Sequence, residues 1–321
     1  MESPQNLKKR LKSVNNIGQI TKAMELVSAT KMRKSQQIAL ASRPYAFMAM
    51  DLLANLSVLE DLKKNELPEL FEVRKQIKKV LFVLISSDKG LAGAFNSSVF
   101  KKFAAHFSKW ASLAPEGREQ HIFLAIGEKA YQYLSKNRFN VVKKFTQVGD
   151  YTTPEQVEPV TDFILDGYLK KDFDKVIIIS THFVTALKQE PHVRIVLPID
   201  FDQISETIRG IIPERGKFAD LIKEYSINFV PDRNKLKEYT IEPNPKKVLE
   251  KLARHLFFMQ FYHLILEANA SEHSARRMAM KTASDNAKDL GENLNLEYNK
   301  SRQSKITTEI SEISAGAEAL Q

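Results

Sequence analysis

The segment KITTEISEISAGAEAL, residues 305–320, closes a stretch that contains no proline after Pro245. A helix rises about 1.5 Å per residue, so this stretch can form one helix on the order of 100 Å long. The stretch between Pro4 and Pro44 also lacks proline. A globular core cannot bury rods of such length, and two rods from opposite chain ends pair most simply as an antiparallel coiled coil. The sequence therefore predicts a protruding arm of two helices.

The N-terminal segment has the spacing of an amphipathic helix. Ser3 and Pro4 are typical of a helix start. Pro44 predicts a kink, and we assign residues 1–60 to this helix, followed by a polar linker at residues 61–68. The predicted apolar stripe advances by steps of three and four residues through Leu7, Leu11, Val14, Ile17, Ile20, Met24 and Val27.

The C-terminal helix, assigned to residues 245–321, ends in a slim tip. Its last turns carry a heptad seam of small and branched apolar residues, and serine, threonine, alanine and glycine surround it. Bulky or charged groups would clash or lose hydration inside a close sleeve, so this composition fits a tip enclosed by a partner. A frayed terminus is the alternative. The seam consists of Ile306, Ile310, Ile313, Ala317 and Leu320.

The middle of the chain has a different sequence pattern from the two ends. Residues 80–85 form a continuous apolar run rich in branched side chains, which predicts a strand buried on both faces. Strands and helices then alternate, which predicts a mostly parallel sheet covered on both faces and an α/β domain at residues 76–200. The last two strands are close enough to form an edge hairpin. The predicted strands are 80–85, 121–126, 140–145, 175–180 and 192–197, and the predicted helices are 91–113, 128–136 and 154–169.

Composition limits the function classes. Among the 321 residues, 43% are hydrophobic and 27% are charged, as in a folded globular protein. The absence of cysteine excludes disulfides, thiolate zinc sites, iron–sulfur ligation and a cysteine nucleophile. We expect no signal peptide, and no apolar run approaches the roughly 20 residues that cross a bilayer. The polar, proline-containing segment at residues 201–244 is interpreted as a surface insertion.

The net charge of +9 is concentrated at one end. Residues 1–43 hold nine Lys and Arg against two Glu, whereas residues 271–321 hold seven basic and eight acidic residues. A basic helix favours an acidic partner, either nucleic acid, anionic lipid or an acidic protein loop. A solvated helix face is the alternative. The segment TKAMELVSATKMRKSQ, residues 21–36, fits a membrane-surface or base-reading helix poorly, so an acidic protein loop is favoured.

The segment SSDKGLAGAFN, residues 86–96, follows the first strand and precedes a helix. That position binds ligands in open α/β sheets, and Gly90 and Gly93 could cradle a phosphate. The segment lacks both the dinucleotide and the P-loop spacing, so Ser87 and Asp88 are interpreted as helix caps. We expect no catalytic, cofactor or metal site. His255 and His263 lie eight residues apart on a helix, without a clear carboxylate partner.

Long segments at both chain ends resemble the gamma subunit of the rotary F-type ATP synthase. ITKAMELVSATKMRKSQ with ASRPY is similar to the N-terminal helix of that family, and SSDKGLAGAFN to the first strand–turn–helix of its Rossmann-like domain. SEHSARRMAMKTASDNAKDL, residues 271–290, and YNKSRQSKITTEISEISAGAEAL, residues 298–320, resemble its C-terminal helix. The resemblance spans nearly the whole chain.

The resemblance implies a central shaft that is not itself catalytic. Its antiparallel coiled coil would turn inside three alpha and three beta subunits, which hold the nucleotide sites. The Rossmann-like domain and an epsilon-type subunit would grip the membrane rotor c ring. Proton flow would turn the shaft, which would drive the three beta sites through successive states. The family implies a peripheral location on the cytoplasmic face of the bacterial plasma membrane, with no cofactor, no nucleic acid and no direct nucleotide binding.

The resemblance also assigns site residues. Positions near moving acidic loops of beta would be Met24, Lys31, Arg33 and Lys34. Upper shaft contacts with the catch loops of alpha and beta would be Arg302, Gln303, Thr307 and Glu309. The apolar bearing at the tip would receive Ile310, Ile313, Ala317 and Leu320.

The sequence departs from the family pattern in two ways, and it leaves two alternative functions open. Ala92 stands where the family commonly has a cysteine, and the 201–244 region is longer than in typical bacterial members. Without cysteine, the redox switch of chloroplast gamma subunits is impossible here. The first rival is a nucleic-acid-binding protein with a basic coiled-coil arm, which predicts salt-sensitive DNA binding. The second is a Rossmann-type enzyme with a nucleotide pocket at Gly90 and Gly93.

Overall fold

A computed structural model of the chain describes residues 2–41, 68–74, 76–113, 120–199, 242 and 245–318. The chain divides into two compact units. One combines Met1–Thr30 with Arg276–Gln321, and the other is Lys31–Ala275. The predicted kink at Pro44, the linker before Pro68 and the insertion, apart from Glu242, lie outside the described residues.

The described elements alternate in the predicted order between two long terminal helices. The helices are α1 Pro4–Ala41, α2 Phe95–Leu113, α3 Glu128–Lys136, α4 Pro154–Leu169 and α5 Pro245–Glu318. The strands are β1 Lys79–Ile85, β2 Gln120–Ile126, β3 Val141–Phe145, β4 Lys175–Phe183 and β5 Gln189–Leu197, and a short 3-10 helix, Glu69–Phe71, precedes β1. None of the described helices has the length and apolar character required to cross a membrane.

The five strands form one sheet in the order β3-β2-β1-β4-β5. The first four run parallel, and β5 pairs antiparallel with β4 at one edge. Strand β1 lies in the centre, with Val83 opposite Leu124 of β2 and Ile178 of β4. The predicted mostly parallel sheet and its edge hairpin are therefore confirmed, although both hairpin strands are longer than predicted.

The sheet has an apolar core on each face because alternate side chains of β1 point to opposite sides. Phe82 packs at 6.3 Å from Phe103 of α2 and at 5.7 Å from Phe123, measured between ring centroids. Helices α2 and α3 cover this face. On the other face, Leu81 and Val83 belong to a larger core with residues of α4 and of the first part of α5. Burial on both faces explains the continuous apolar runs of the central strands.

Local signals set several helix ends. Helix α4 begins at Pro154, and the backbone N–H of Thr153 donates to the Gln156 side chain at 3.1 Å, which is one half of a capping box. Its predicted bounds, and those of α3, are confirmed. Helix α2 begins at Phe95 rather than at the predicted Leu91, because Leu91 and Gly93 have positive φ angles of 64° and 53° that interrupt a helix.

The predicted apolar stripe of α1 is wrong in its second half. Ile17, Ile20 and Val27 are 53%, 59% and 53% exposed. The less exposed face advances by alternating steps of four and three residues, and small and polar residues replace large apolar ones along it. It consists of Leu7, Leu11, Val14, Gly18, Thr21, Glu25, Ser28, Met32 and Ser35.

Candidate functional site

Helices α1 and α5 contact each other within the unit formed by residues 1–30 and 276–321. A methyl group added at Gly18 would lie 3.4 Å from the Cβ of Ala287, and one added at Gly291 would lie 3.2 Å from Asn15 Oδ1. The Ser301 hydroxyl donates to the Glu2 carbonyl at 3.0 Å. Residue numbers rise along one helix as they fall along the other, so the two segments run antiparallel.

The contact face of α5 has the same repeat as that of α1. From position 284 its less exposed residues advance by steps of three and four, which is the repeat that keeps one face of a helix against a partner helix. Small residues at positions 18, 287 and 291 allow the two backbones to approach closely. The residues of this face are Ser284, Ala287, Gly291, Leu294, Tyr298 and Ser301.

Several large apolar side chains of this unit lie on the surface. On α1, Leu26 is 60% exposed, alongside the exposed Ile17, Ile20 and Val27. On α5, Leu290 and Leu296 are 46% and 69% exposed. Large apolar surfaces on a protein mark positions that a partner covers. The sequence predicted apolar stripes but did not predict that the larger residues face outward.

The predicted upper-shaft residues lie on the exposed last turns of α5. Arg302, Gln303, Thr307 and Glu309 are all exposed. The Thr307 hydroxyl donates to the Gln303 carbonyl at 2.9 Å, and the Glu309 carboxylate lies 3.6 Å from Lys305 Nζ. Such local bonds satisfy the hydroxyl without a second helix.

The predicted bearing residues follow on the same helix. Ile310 and Ile313 are 59% and 72% exposed, and Ala317 is also exposed. Leu320 lies outside the described residues. The structure therefore places three of the four predicted tip residues on one exposed helix end.

The predicted contact residues on α1 differ in their exposure and in their partners. Met24 is half-buried, whereas Arg33 and Lys34 are exposed. The Lys31 ammonium forms an ion pair with Asp150 Oδ2 at 2.8 Å, inside the sheet-containing unit. Arg33 and Lys34 therefore offer exposed positive charge to a partner, while Lys31 is engaged by a carboxylate of its own chain.

The glycine turn after β1 is filled by its own side chains. Asp88 accepts hydrogen bonds from the backbone N–H groups of Glu128 at 3.0 Å and Gln147 at 2.8 Å. Its carboxylate thus occupies the N-terminus of α3, where a phosphate would be stabilised in a nucleotide site. Ser87 bonds to Asn96 in the first turn of α2. The interpretation as a cap agrees with the contacts of Asp88, although it caps α3 rather than the helix that follows it. The Ser87 hydroxyl bonds to the Asn96 side chain and to the Lys89 carbonyl instead of a backbone N–H group of the helix.

A buried carboxylate, Glu267 of α5, was missed by the sequence reasoning. His182 Nδ1 lies 3.0 Å from both of its oxygens, His263 Nε2 lies 3.3 Å from one of them, and Arg194 lies at 3.8 Å. Burial raises the pKa of the Glu267 carboxyl, but the hydrogen bonds from His182 and His263 outweigh that effect and bring the pKa down to about 2. His263 does have a carboxylate partner, and the four-residue spacing to Glu267 could have revealed it.

This cluster joins three elements of the sheet-containing unit. His182 lies on β4, Arg194 on β5, and His263 and Glu267 on α5. It therefore ties α5 to the edge hairpin. Within the described residues, no group of histidine and acidic side chains has an arrangement that could hold a metal ion.

Comparison with known proteins gives the family. A model described as ATP synthase matches residues 3–320. The chain is 35% identical over 323 residues to the ATP synthase gamma chain of Roseiflexus castenholzii, covering 100% of this chain and 99% of that one. It is 34% identical over 322 residues to the gamma chain of Bdellovibrio bacteriovorus, covering 100% of both.

The fold agrees with these relatives. A chain in the cryo-EM structure of the Euglena gracilis mitochondrial ATP synthase matches with a TM-score of 0.61 at 16% identity, covering 99% of this chain and 94% of that chain. No relative found in these comparisons supports the alternative of a nucleic-acid-binding protein. The family model, the full-length relatives and the shared fold agree, and this chain belongs to the ATP synthase gamma-chain family.

Proposed function

We propose that this chain is the central rotor shaft of an F-type ATP synthase. Rotation of a proton-driven membrane ring turns the chain, and the chain imposes successive conformations on three beta-subunit catalytic sites for ATP synthesis or hydrolysis. The chain has no catalytic site of its own in this proposal. It acts because a shaft that contacts each beta subunit differently shifts each conformational equilibrium by a different amount.

One observation carries this proposal beyond family membership. Several large apolar side chains of α1 and α5 are exposed, although small and polar residues occupy much of the face between the helices. Such a surface is unfavourable in water, because burying apolar area stabilises by about 25 cal/mol per Å². A surrounding ring of subunits would cover it. We assign the rotor–stator contact to this surface, together with Met24, Lys31, Arg33, Lys34, Arg302, Gln303, Thr307 and Glu309.

The two helices form an antiparallel coiled coil in this proposal. The matching repeats of four and three residues on α1 and α5, and the contacts of Gly18 and Gly291, support it. A seam of small residues keeps the pair slim, which suits a shaft that turns within a narrow opening. Ile310, Ile313, Ala317 and Leu320 would then form the tip in an apolar bearing.

The partners follow from the same assignment. Three alpha and three beta subunits surround the shaft, and an epsilon-type subunit and the membrane c ring bind its sheet-containing unit. The chain is peripheral on the cytoplasmic face of the bacterial plasma membrane, held there through the complex. No cofactor is required in this proposal.

The proposal is tested by isolating the intact complex from its source cell with a tagged chain. Native mass spectrometry should find one copy of the chain with three copies each of two larger nucleotide-binding subunits. Coupled ATP hydrolysis should disappear in cells that lack the chain. A lone chain, a homodimer or a nucleic-acid complex would contradict the proposal.

Replacing Arg302 and Gln303 together with alanine should lower ATP hydrolysis by the assembled complex about tenfold. Both side chains are exposed on α5, so their loss should leave folding intact while it removes hydrogen bonds with the stator, each worth about 0.5–1.5 kcal/mol. Steady-state hydrolysis and complex assembly are measured together. Glu297→Ala is the control, since Glu297 is exposed on the same helix and lies about 140° around it from Arg302 and about 120° from Gln303. Unchanged hydrolysis in the double variant would reject this contact.

Replacing Gly18 with leucine should destabilise the helix pair. Leucine favours a helix by about 1 kcal/mol over glycine, so an isolated helix would gain stability. At this position the new side chain must displace Ala287, because even its Cβ would lie 3.4 Å from the Ala287 methyl. We expect a net loss of about 1–2 kcal/mol.

Thermal unfolding of the full chain, followed by far-UV circular dichroism, measures this effect. Gln19→Leu is the matched control, because Gln19 is the exposed neighbour on the same helix. The melting temperature should fall for the Gly18 variant and hold or rise for the Gln19 variant. Equal behaviour of the two variants would argue against the coiled coil.

A further inference from the structure

The loop between β3 and α4 contacts both terminal helices of the chain. Its residues 148–152 are called the collar loop here. The Thr152 hydroxyl donates to the Val148 carbonyl at 2.5 Å and closes the loop on itself. Asp150 of this loop has a positive φ of 63°. The loop belongs entirely to the sheet-containing unit.

Helix α5 holds the collar loop by buried hydrogen bonds. Asn269 Nδ2 donates to the Val148 carbonyl at 3.1 Å and to Thr152 Oγ1 at 2.7 Å. The Tyr262 hydroxyl donates to the Thr152 carbonyl at 3.0 Å. All three of Asn269, Tyr262 and Thr152 are buried, so water does not compete for these bonds.

The last part of α1 holds the same loop. The Lys31 ammonium pairs with Asp150 Oδ2 at 2.8 Å, and the Ser35 hydroxyl lies 3.5 Å from the Asp150 carbonyl. His273 of α5 approaches the other carboxylate oxygen at 3.5 Å. One loop of the sheet domain therefore contacts helices that come from opposite ends of the chain, close to residues 30 and 276 where the compact units divide.

The chemistry of these contacts differs from the packing around them. Helix α5 packs on the sheet through many apolar side chains, and apolar packing has little directionality, so it resists rotation about the helix axis weakly. The directional contacts of α5 include the collar-loop bonds, the Glu267 cluster with His182 and Arg194, and the Ser274 hydroxyl, which donates to the Ala186 carbonyl at 2.6 Å. Hydrogen bonds require a narrow range of angles and distances. Tyr262, Asn269 and His273 are separated by seven and four residues and lie on one face of α5, so together they fix which face of the helix meets the sheet domain.

We infer that the collar loop sets the rotational position of α5 on the sheet domain, and that Asn269 is a positioning residue for torque transfer between the two. This inference rests on the proposed function as a rotor shaft. A load applied to the sheet domain must pass into α5, and the collar bonds, together with the Glu267 cluster at the edge hairpin, resist rotation of the helix. Loosening them should separate ATP hydrolysis from proton pumping while leaving the stator contacts untouched.

The test uses the intact complex in inverted membrane vesicles. The variant Asn269→Leu removes both amide hydrogen bonds, and Tyr262→Phe removes only one hydroxyl and keeps the ring packing. Tyr151→Phe is the matched control, since Tyr151 lies in the same loop and is 49% exposed. Hydrolysis and proton pumping are measured on the same vesicles, and native mass spectrometry verifies that each variant is incorporated.

In Asn269→Leu the protons pumped per ATP should fall about threefold or more, with hydrolysis within about twofold of the unchanged chain. A smaller fall is expected in Tyr262→Phe and none in Tyr151→Phe. A purely structural role would lower hydrolysis and pumping together and leave their ratio unchanged, which would overturn the inference. If Asn269→Leu is not incorporated into the complex, the number of protons pumped per ATP in Tyr262→Phe tests the inference instead. If the chain without any substitution is not found in the ATPase complex, the proposed function itself is refuted.

Discussion

Alanine at Gly127 is expected to destabilise the sheet-containing unit by about 4 kcal/mol or more. Gly127 follows β2 and precedes α3, with φ 91° and ψ 144°, a conformation that side chains with a Cβ rarely adopt. An added Cβ would lie 2.2 Å from the carbonyl oxygen of Ser86. That oxygen belongs to the backbone and cannot rotate away, so the strand end or the helix must move.

The movement would break a shared set of bonds at the ends of three strands. Gly127 N–H donates to the Phe145 carbonyl of β3 at 2.8 Å, and the Ala130 N–H donates to the Ser86 hydroxyl at 2.6 Å. Urea unfolding of the full chain measures the loss. Gly90→Ala is the matched control, because a Cβ at Gly90 meets nothing within 4 Å. Equal stability of the two variants would contradict the steric argument.

The sheet could be predicted from sequence because its determinants are local. Strand β1 is a continuous run of branched and aromatic residues. Thr153 followed by Pro154 is typical of a helix start and predicts the beginning of α4. The exposed apolar face of α1 could not be predicted in the same way. A single helix shows only that apolar residues recur, and it was the small residues Gly18 and Ser28 that proved to face inward.

The reason lies in the partner helix. Which stripe of α1 is buried depends on the residues of α5 that it meets, and Ala287 and Gly291 accept a close backbone better than a large side chain. The larger Ile17 and Ile20 then remain outside. Large apolar residues usually lie inside a protein. We expect exceptions to this rule on a surface that functions by contacting another protein. The predicted stator contacts themselves remain predictions, since they require that partner.

Polar contacts between residues distant in the chain were the other feature that could not be predicted from the sequence. The turn after β1 was expected to cap the next helix, yet Asp88 reaches α3, forty residues further along the chain. Glu267 meets His182, which is 85 residues away on another element. Such pairs depend on the final placement of strands and helices, and only the His263–Glu267 spacing was visible locally.

Glutamine at Glu267 is expected to lower the free energy of unfolding by about 3 kcal/mol near neutral pH. The carboxylate is 7% exposed and accepts hydrogen bonds from histidines on β4 and α5, with Arg194 of β5 at 3.8 Å. Glutamine keeps the shape but loses the charge, and its amide NH2 group replaces an accepting carboxylate oxygen in a cluster that includes the Arg194 guanidinium, which has donors only. The edge hairpin should therefore loosen from α5.

The pH dependence of this variant gives a sharper test than its stability alone. The pKa of Glu267 is about 2 in the folded chain, below its ordinary value of 4.5. A carboxyl whose pKa is lowered by folding stabilises the fold fully above its unfolded pKa, and this contribution is lost as the pH falls toward the folded value. The difference between the unchanged chain and Glu267→Gln should therefore be largest above about pH 5 and should shrink toward pH 2.

Urea unfolding of the full chain across this pH range measures both free energies. Glu250→Gln is the matched control, because Glu250 is exposed on the same helix and should change stability by less than about 0.5 kcal/mol at any of these pH values. Subtracting the free energy of unfolding of the variant from that of the unchanged chain cancels the titration of the groups that do not contact Glu267, so the remaining slope belongs to Glu267 and its partners. A difference that stays constant from neutral to acid pH would mean that the packing of α5 on the sheet, and not the buried charge, holds the edge hairpin in place.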